Sequence, residues 1–287
     1  MPEVTEAHVE ARRAHEGSRG YFNSGLPYNR FGHGPTGLVV FQGMQFDNRP
    51  LFGLSARFVR GLYKRLEPEH TIYLVTRRPG LPEGCSLGDM SDDYATMIRD
   101  QFGGAVDIVG LSTGGMIAQH FAAEHPDLVR RLVIHSSAHR LAVEAKELHR
   151  RVRGLVRENR WTAAYAAVFG FMAPRRGAIG RMAKIVARLA SPFGGLLLGR
   201  PESPSDALVT YAAADKHDFK DRLSEIMAPT LVVAGDEDPF YTPILLRETA
   251  QGIPDARLIL YEGVGHPAWG KRFARDVLAF LKGTRRA

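Results

Sequence analysis

The stretch Val106-Asp107-Ile108-Val109-Gly110-Leu111-Ser112-Thr113-Gly114-Gly115-Met116 decides how the rest of the chain is read. It runs as a short buried strand, a turn of small residues, and the start of a helix. Inside it lies G-x-S-x-G, as Gly110-Leu111-Ser112-Thr113-Gly114. A serine on so sharp a strand-to-helix turn is held in a tight backbone geometry, and the two glycines remove side chains that would collide there. The serine Oγ then stands exposed at the carboxyl end of a sheet, in front of a helix N-terminus that favours developing negative charge. Five letters alone occur by chance in many chains. The strand before them and the helix after them make the pattern specific.

Outward from this elbow, strands and helices alternate. Two edge strands are expected within Gly20–Phe31, then strands at Gly37–Phe41, Thr71–Thr76 and Leu132–Ile134. Helices are expected at Pro50–Leu66, where Phe52, Phe58, Val59, Leu62 and Leu66 recur near helical spacing, at Met90–Phe102, and at Thr113–Glu124 ahead of Pro126. Repetition of strand and helix through residues 37–137 is the signature of βαβ units on a parallel sheet. It breaks at about residue 138. From there to about 215 the pattern is helical, rich in arginine (Arg150, Arg151, Arg153, Arg157, Arg160, Arg175, Arg176, Arg181, Arg188) and broken by Pro174, Pro192, Gly194, Gly195, Pro201 and Pro204. Trp161, Tyr165, Val168, Phe169 and Met172 share one helical face, which packs on the core, walls a pocket over Ser112, or does both. Alternation resumes with a strand at Thr230–Ala234, a helix at Pro243–Gln251, a strand at Ala256–Tyr261 and an amphipathic helix at Ala268–Lys282 that carries Trp269 and Phe273. Residues 1–20 read as a polar arm or a short helix.

Composition narrows the class. The 287 residues suffice for one large α/β domain with an insertion, and 44% hydrophobic with 24% charged residues is ordinary for a globular protein. There is no run of about 18 apolar residues and no apolar segment in Met1–Gly20, so neither a membrane span nor a signal peptide is expected. The single cysteine, Cys85, permits no intramolecular disulfide and fits a reducing cytoplasm or simple disuse of cysteine. The net charge of +7 comes without a nucleic-acid motif and reads as an arginine-rich surface, with an acidic substrate or an anionic membrane surface as the alternative. No metal-site spacing and no dinucleotide or Walker fingerprint is present, so no cofactor is implied.

A serine needs a base in reach, and the base an orienting acid, on loops at the carboxyl ends of strands. His266 follows the last strand in a glycine-flanked loop and is the candidate base. His135, ending a strand near the elbow, is its rival. The loop after Thr230–Ala234 supplies Asp236, Glu237 and Asp238; Asp238 is favoured as the acid, with Asp236 capping the turn or binding backbone amides instead. For an oxyanion, the donors are the N–H of Thr113 and that of Met44, next to Gly43, which permits close approach.

These residues resemble the α/β-hydrolase superfamily, on Gly110-Leu111-Ser112-Thr113-Gly114-Gly115, the Gly235-x-x-Asp238 loop and Gly265-His266. The resemblance implies an eight-stranded, mostly parallel sheet with flanking helices: residues 1–137 and 216–287 as core and 138–215 as a helical lid. It also implies Ser112, Asp238 and His266 as the triad. One departure stands out: the family often has His-Gly where this chain has Gln42-Gly43. A serine nucleophile points to cleavage of carboxylic esters or related acyl compounds, with a small apolar acyl substrate walled by Trp161, Tyr165 and Phe169. C–C bond cleavage, acyl transfer and plain ligand binding on the same fold are the competing readings.

Overall fold

A computed structural model describes residues 17–173, 182, 201 and 204–283. Eight strands form one sheet: β1 (Arg19–Tyr21), β2 (Pro27–Phe31), β3 (Thr36–Phe41), β4 (His70–Val75), β5 (Val106–Leu111), β6 (Val129–His135), β7 (Thr230–Gly235) and β8 (Ala256–Tyr261). Their spatial order is β1-β2-β4-β3-β5-β6-β7-β8. β1 and β2 pair antiparallel, as does β2 with β4, and every other neighbour is parallel. The eight strands read from the sequence are therefore all present, and β5, which carries the elbow, lies among the central ones.

The helices are α1 (Gly53–Tyr63), α2 (Leu87–Phe102), α3 (Thr113–Glu124), α4 (Val143–Arg157), α5 (Trp161–Met172), α6 (Ser205–Lys216), α7 (Pro243–Gly252) and α8 (Lys271–Leu281). Strand side chains alternate between the two faces of the sheet. Leu38 and Val40 thus join α1 and α8 residues such as Leu62, Tyr63, Phe273 and Val277 in one core. Val39 and Phe41 join Tyr94 of α2, Met116 of α3 and Leu246 of α7 in the other. α4 packs against α5 and α6, and α6 against α2.

Boundaries differ from the sequence reading where local chemistry decides them. α1 is shorter than Pro50–Leu66, because Phe52 is extended at its N-cap and Lys64–Leu66 tightens to a 3-10 turn. α2 starts three residues earlier than expected. Ser86 and Asp89 form a reciprocal capping box, the Ser86 hydroxyl accepting from Asp89 N–H at 3.1 Å and the Asp89 carboxylate from Ser86 N–H at 2.8 Å. α8 begins after Gly270, which leaves Trp269 in the preceding loop, 68% exposed rather than on the helix's apolar face. Residues 1–16 of the arm, Pro174, Pro192, Gly194, Gly195, Arg175, Arg176, Arg181 and Arg188 lie outside the described residues. No described helix is long and apolar enough to cross a membrane.

Candidate active site

β5 ends at Leu111 and α3 begins at Thr113, so Ser112 alone makes the turn. Its φ of 52° and ψ of −119° lie where a residue with a Cβ is strained, at a cost of order 1–3 kcal/mol. Neighbouring bonds hold it there: Ser112 N–H donates to His135 O at 2.9 Å, and Gly115 N–H donates to Ser112 O at 2.8 Å. A Cβ on Gly114 would land on the Phe41 carbonyl, which is why the tight crossing of α3 over β3 requires glycine. At Gly43 a Cβ would come 3.2 Å from Leu111 O and 3.4 Å from Ser112 Cβ, so the loop after β3 lies directly against the elbow.

His266 follows β8. Its Nδ1 is 2.7 Å from Asp238 Oδ2, and the Asp238 side chain is fully enclosed. The other carboxylate oxygen, Oδ1, accepts from Phe240 N–H at 2.8 Å and Tyr241 N–H at 3.2 Å. Because a carboxylate only accepts, His266 donates from Nδ1, which leaves Nε2 as the lone-pair side whenever the ring is neutral. Asp236 instead accepts Gly263 N–H at 2.7 Å, the backbone role read as its alternative.

His135, the rival base, is fully buried. Its Nδ1 meets Tyr63 Oη at 3.0 Å and its Nε2 meets Ala268 O at 2.6 Å, so neither nitrogen is available. Burial pushes its pKa down to about 3, and does the same for His217, which stacks on Phe219 at the C-terminal end of α6. In an unfolded chain such histidines take a proton below pH 6.5, whereas in the fold they stay neutral until about pH 3. Their contribution to stability is thus complete above pH 6.5 and lost as pH falls through that window, by about 1.4 kcal/mol per pH unit for each group. Thermal melts are expected to drop steadily from pH 7 to pH 5; a flat profile would refute neutral burial of these two rings.

Ser112, Thr113, Gly43, Met44, His266, Tyr165 and Phe169 all line one cavity of about 540 Å³. Neither the Met44 nor the Thr113 N–H is bonded to another described residue. Trp161 is the exception among the residues expected in the pocket wall. It does not line the cavity but is buried, edge-on to Phe46 at 5.9 Å, and Phe46 itself lines the cavity. Leu51, Phe52, Leu54 and Phe58, from α1 and the loop before it, complete an apolar wall.

Sequence reasoning missed Arg77. It is fully buried behind the loop after β3, where Nη1 donates to Gln42 O and Gly43 O, each at 3.1 Å, and Nη2 to Gly43 O at 3.2 Å. An arginine just past a strand end reads as a surface charge; only its carbonyl partners, distant in sequence, reveal it. It also missed Tyr241, wholly buried, whose hydroxyl faces those of Ser112 and Ser137 and is kept protonated by burial. Away from the cavity, Asp92, Glu124 and His125 lie close together at the surface, with Glu124 held by Arg222 at 2.9 Å.

Residues 21–277 match the model of the alpha/beta hydrolase family. The chain belongs to that family. As a family member it is 28% identical over 276 residues to polyketide synthase ThaQ of Burkholderia thailandensis, covering 90% of this chain and 12% of that much longer protein. It is 23% identical over 263 residues to the pimeloyl-(acyl-carrier protein) methyl ester esterase of Vibrio vulnificus, covering 89% of this chain and 97% of that one. Among solved structures, MGS-M2, an alpha/beta hydrolase enzyme from a Medee basin deep-sea metagenome library, superposes with a TM-score of 0.75 at 17% identity, over 94% of this chain and 99% of that chain. This last likeness is one of fold.

Proposed function

We propose that the protein is a serine hydrolase of carboxylic esters or related acyl compounds, with Ser112 as nucleophile, His266 as general base and Asp238 as its orienting acid. The observation that carries this is the 2.7 Å Asp238–His266 pair, whose imidazole borders the same cavity as the strained Ser112. The Ser112 proton passes to His266 Nε2 as Oγ bonds to the acyl carbon. The tetrahedral oxyanion takes the N–H groups of Met44 and Thr113, and the alcohol leaves with the proton from His266. Water then attacks the acyl-enzyme by the same route in reverse order and frees the acid. The relatives whose names specify polyketide synthesis and methyl ester cleavage support an acyl substrate. In this reading α4, α5 and α6, which lie within residues 138–215 but for Lys216 at the end of α6, form the lid, and Tyr165 and Phe169 contact the apolar part of the substrate.

Labelling with a fluorophosphonate and mapping the modified peptide tests the assignment. A label on Ser112, absent from His266→Ala, supports it; an unlabelled Ser112 in folded protein removes it.

Arg77 is then the group that aims the Met44 N–H, since it holds the two carbonyls ahead of it. Arg77→Met is expected to lower kcat by about 10²-fold, the scale of losing one oxyanion donor, with KM nearly unchanged. Equal kcat in wild type and variant would show that the loop keeps its shape without the guanidinium.

A further inference from the structure

The same cavity contains a second histidine–carboxylate pair. His149 on α4 places Nδ1 2.7 Å from Asp215 Oδ1 on α6, and the other Asp215 oxygen takes Arg153 Nη2 at 3.0 Å. Asp215 can only accept, so His149 Nδ1 carries a proton and Nε2 presents a lone pair whenever the ring is neutral. That Nε2 has no partner among the described residues, and the ring borders the cavity. The contrast with His135 is informative. His135, deep in the core, has both nitrogens engaged, with Tyr63 and Ala268, whereas His149 keeps one nitrogen open at the cavity wall. Tyr211 stands edge-on to His149 at 4.7 Å and fixes the plane of the ring. The Phe240 ring centroid is 6.5 Å from that of His149 and 4.7 Å from that of His266, so both imidazoles have this ring as a neighbour.

We propose that His149, oriented by Asp215, is a second recognition point in this cavity, accepting a hydrogen bond from a hydroxyl or amide N–H carried by the substrate away from the carbonyl that Ser112 attacks. The proposal rests on the serine-hydrolase reading and narrows its substrate class from plain apolar acyl compounds to ones bearing a donor remote from the scissile carbonyl. The physical reason is the surroundings. Leu148, Val168, Phe169 and Met172 make the neighbouring wall apolar, so a wholly apolar substrate would leave Nε2 desolvated and unpaired. A site built to bond a donor rejects the analogue that lacks one far more strongly than an apolar pocket rejects an extra methylene.

The test compares kcat/KM for three matched esters that end in a methyl, a hydroxyl or a methoxy group. They are made at several chain lengths, with the group on the acyl chain in one series and on the alcohol in another. Wild type is expected to favour the hydroxyl over both others by roughly tenfold or more at one length. Methoxy tracks methyl because an ether cannot donate to Nε2. In His149→Leu that advantage disappears while the methyl ester stays within about twofold. Asp215→Asn, which keeps the size of the side chain, lets the amide donate to Nδ1 and moves the ring proton to Nε2, so methoxy gains on methyl. Equal rates for hydroxyl and methoxy in wild type at every length and in both series overturn the proposal. So does a uniform slowing of all three esters in both variants, which would mark the pair as a tie between α4 and α6 only. Fluorophosphonate labelling in the same samples separates the two levels: a labelled Ser112 without hydroxyl preference sinks only this inference, and an unlabelled, inactive wild type sinks both.

Discussion

Ser112→Ala is expected to lower kcat/KM on an activated ester by about 10⁴- to 10⁶-fold and to abolish fluorophosphonate labelling, with the fold intact. The magnitude follows from the role: without Oγ no acyl-enzyme forms, and only binding and the oxyanion donors are left to assist water. Intact folding follows from the geometry. The bonds that hold the turn run through the Ser112 backbone, to His135 O and from Gly115 N–H, and none depends on the hydroxyl. Alanine also tolerates the φ of 52° no worse than serine does. Ester turnover and circular dichroism on the purified variant check both halves. Turnover within tenfold of wild type would mean that another residue attacks.

Asp238→Asn is expected to cost about 10³- to 10⁴-fold in kcat with little change in KM. An asparagine can turn its amide nitrogen toward His266 Nδ1, which then becomes the acceptor and leaves the proton on Nε2, where it blocks uptake of the Ser112 proton. Folding should survive, because the asparagine oxygen can still accept from the Phe240 and Tyr241 N–H groups that Asp238 Oδ1 serves now. A loss smaller than tenfold would show that His266 works without an orienting acid. Asp236 offers no substitute, since its carboxylate is committed to Gly263 N–H.

Most of the architecture was legible because its signals are local. The apolar runs of β3 (Leu38–Phe41) and β7 (Leu231–Ala234) are continuous, as strands covered on both faces must be. The helices between them show 3.6-residue spacing, and G-x-S-x-G names a turn that few other patterns allow. What was misread locally had a local signal that went unused: Ser86-x-x-Asp89 is a capping box, and it sets the start of α2. Trp161 and Trp269 were misplaced for another reason. Helical periodicity reports which residues share a face, not which of them meets a cavity, another side chain or solvent, and for these two the answers are Phe46 and open water.

By itself the sequence determined the strand and helix order, the elbow at Ser112, and the short set of loops where a base and an acid could stand. Tertiary structure decided what those loops do. It brought the Asp238 carboxylate to His266 and the Asp236 carboxylate to the Gly263 amide. It retired His135 by engaging both ring nitrogens, buried Arg77 against two carbonyls, and joined His149 to Asp215 across 66 residues of chain. The division has one physical cause. Propensity and periodicity act over a few residues and are written in neighbouring letters. Hydrogen-bond partnership and burial depend on which distant segments the sheet brings together, and they exist only once it has formed.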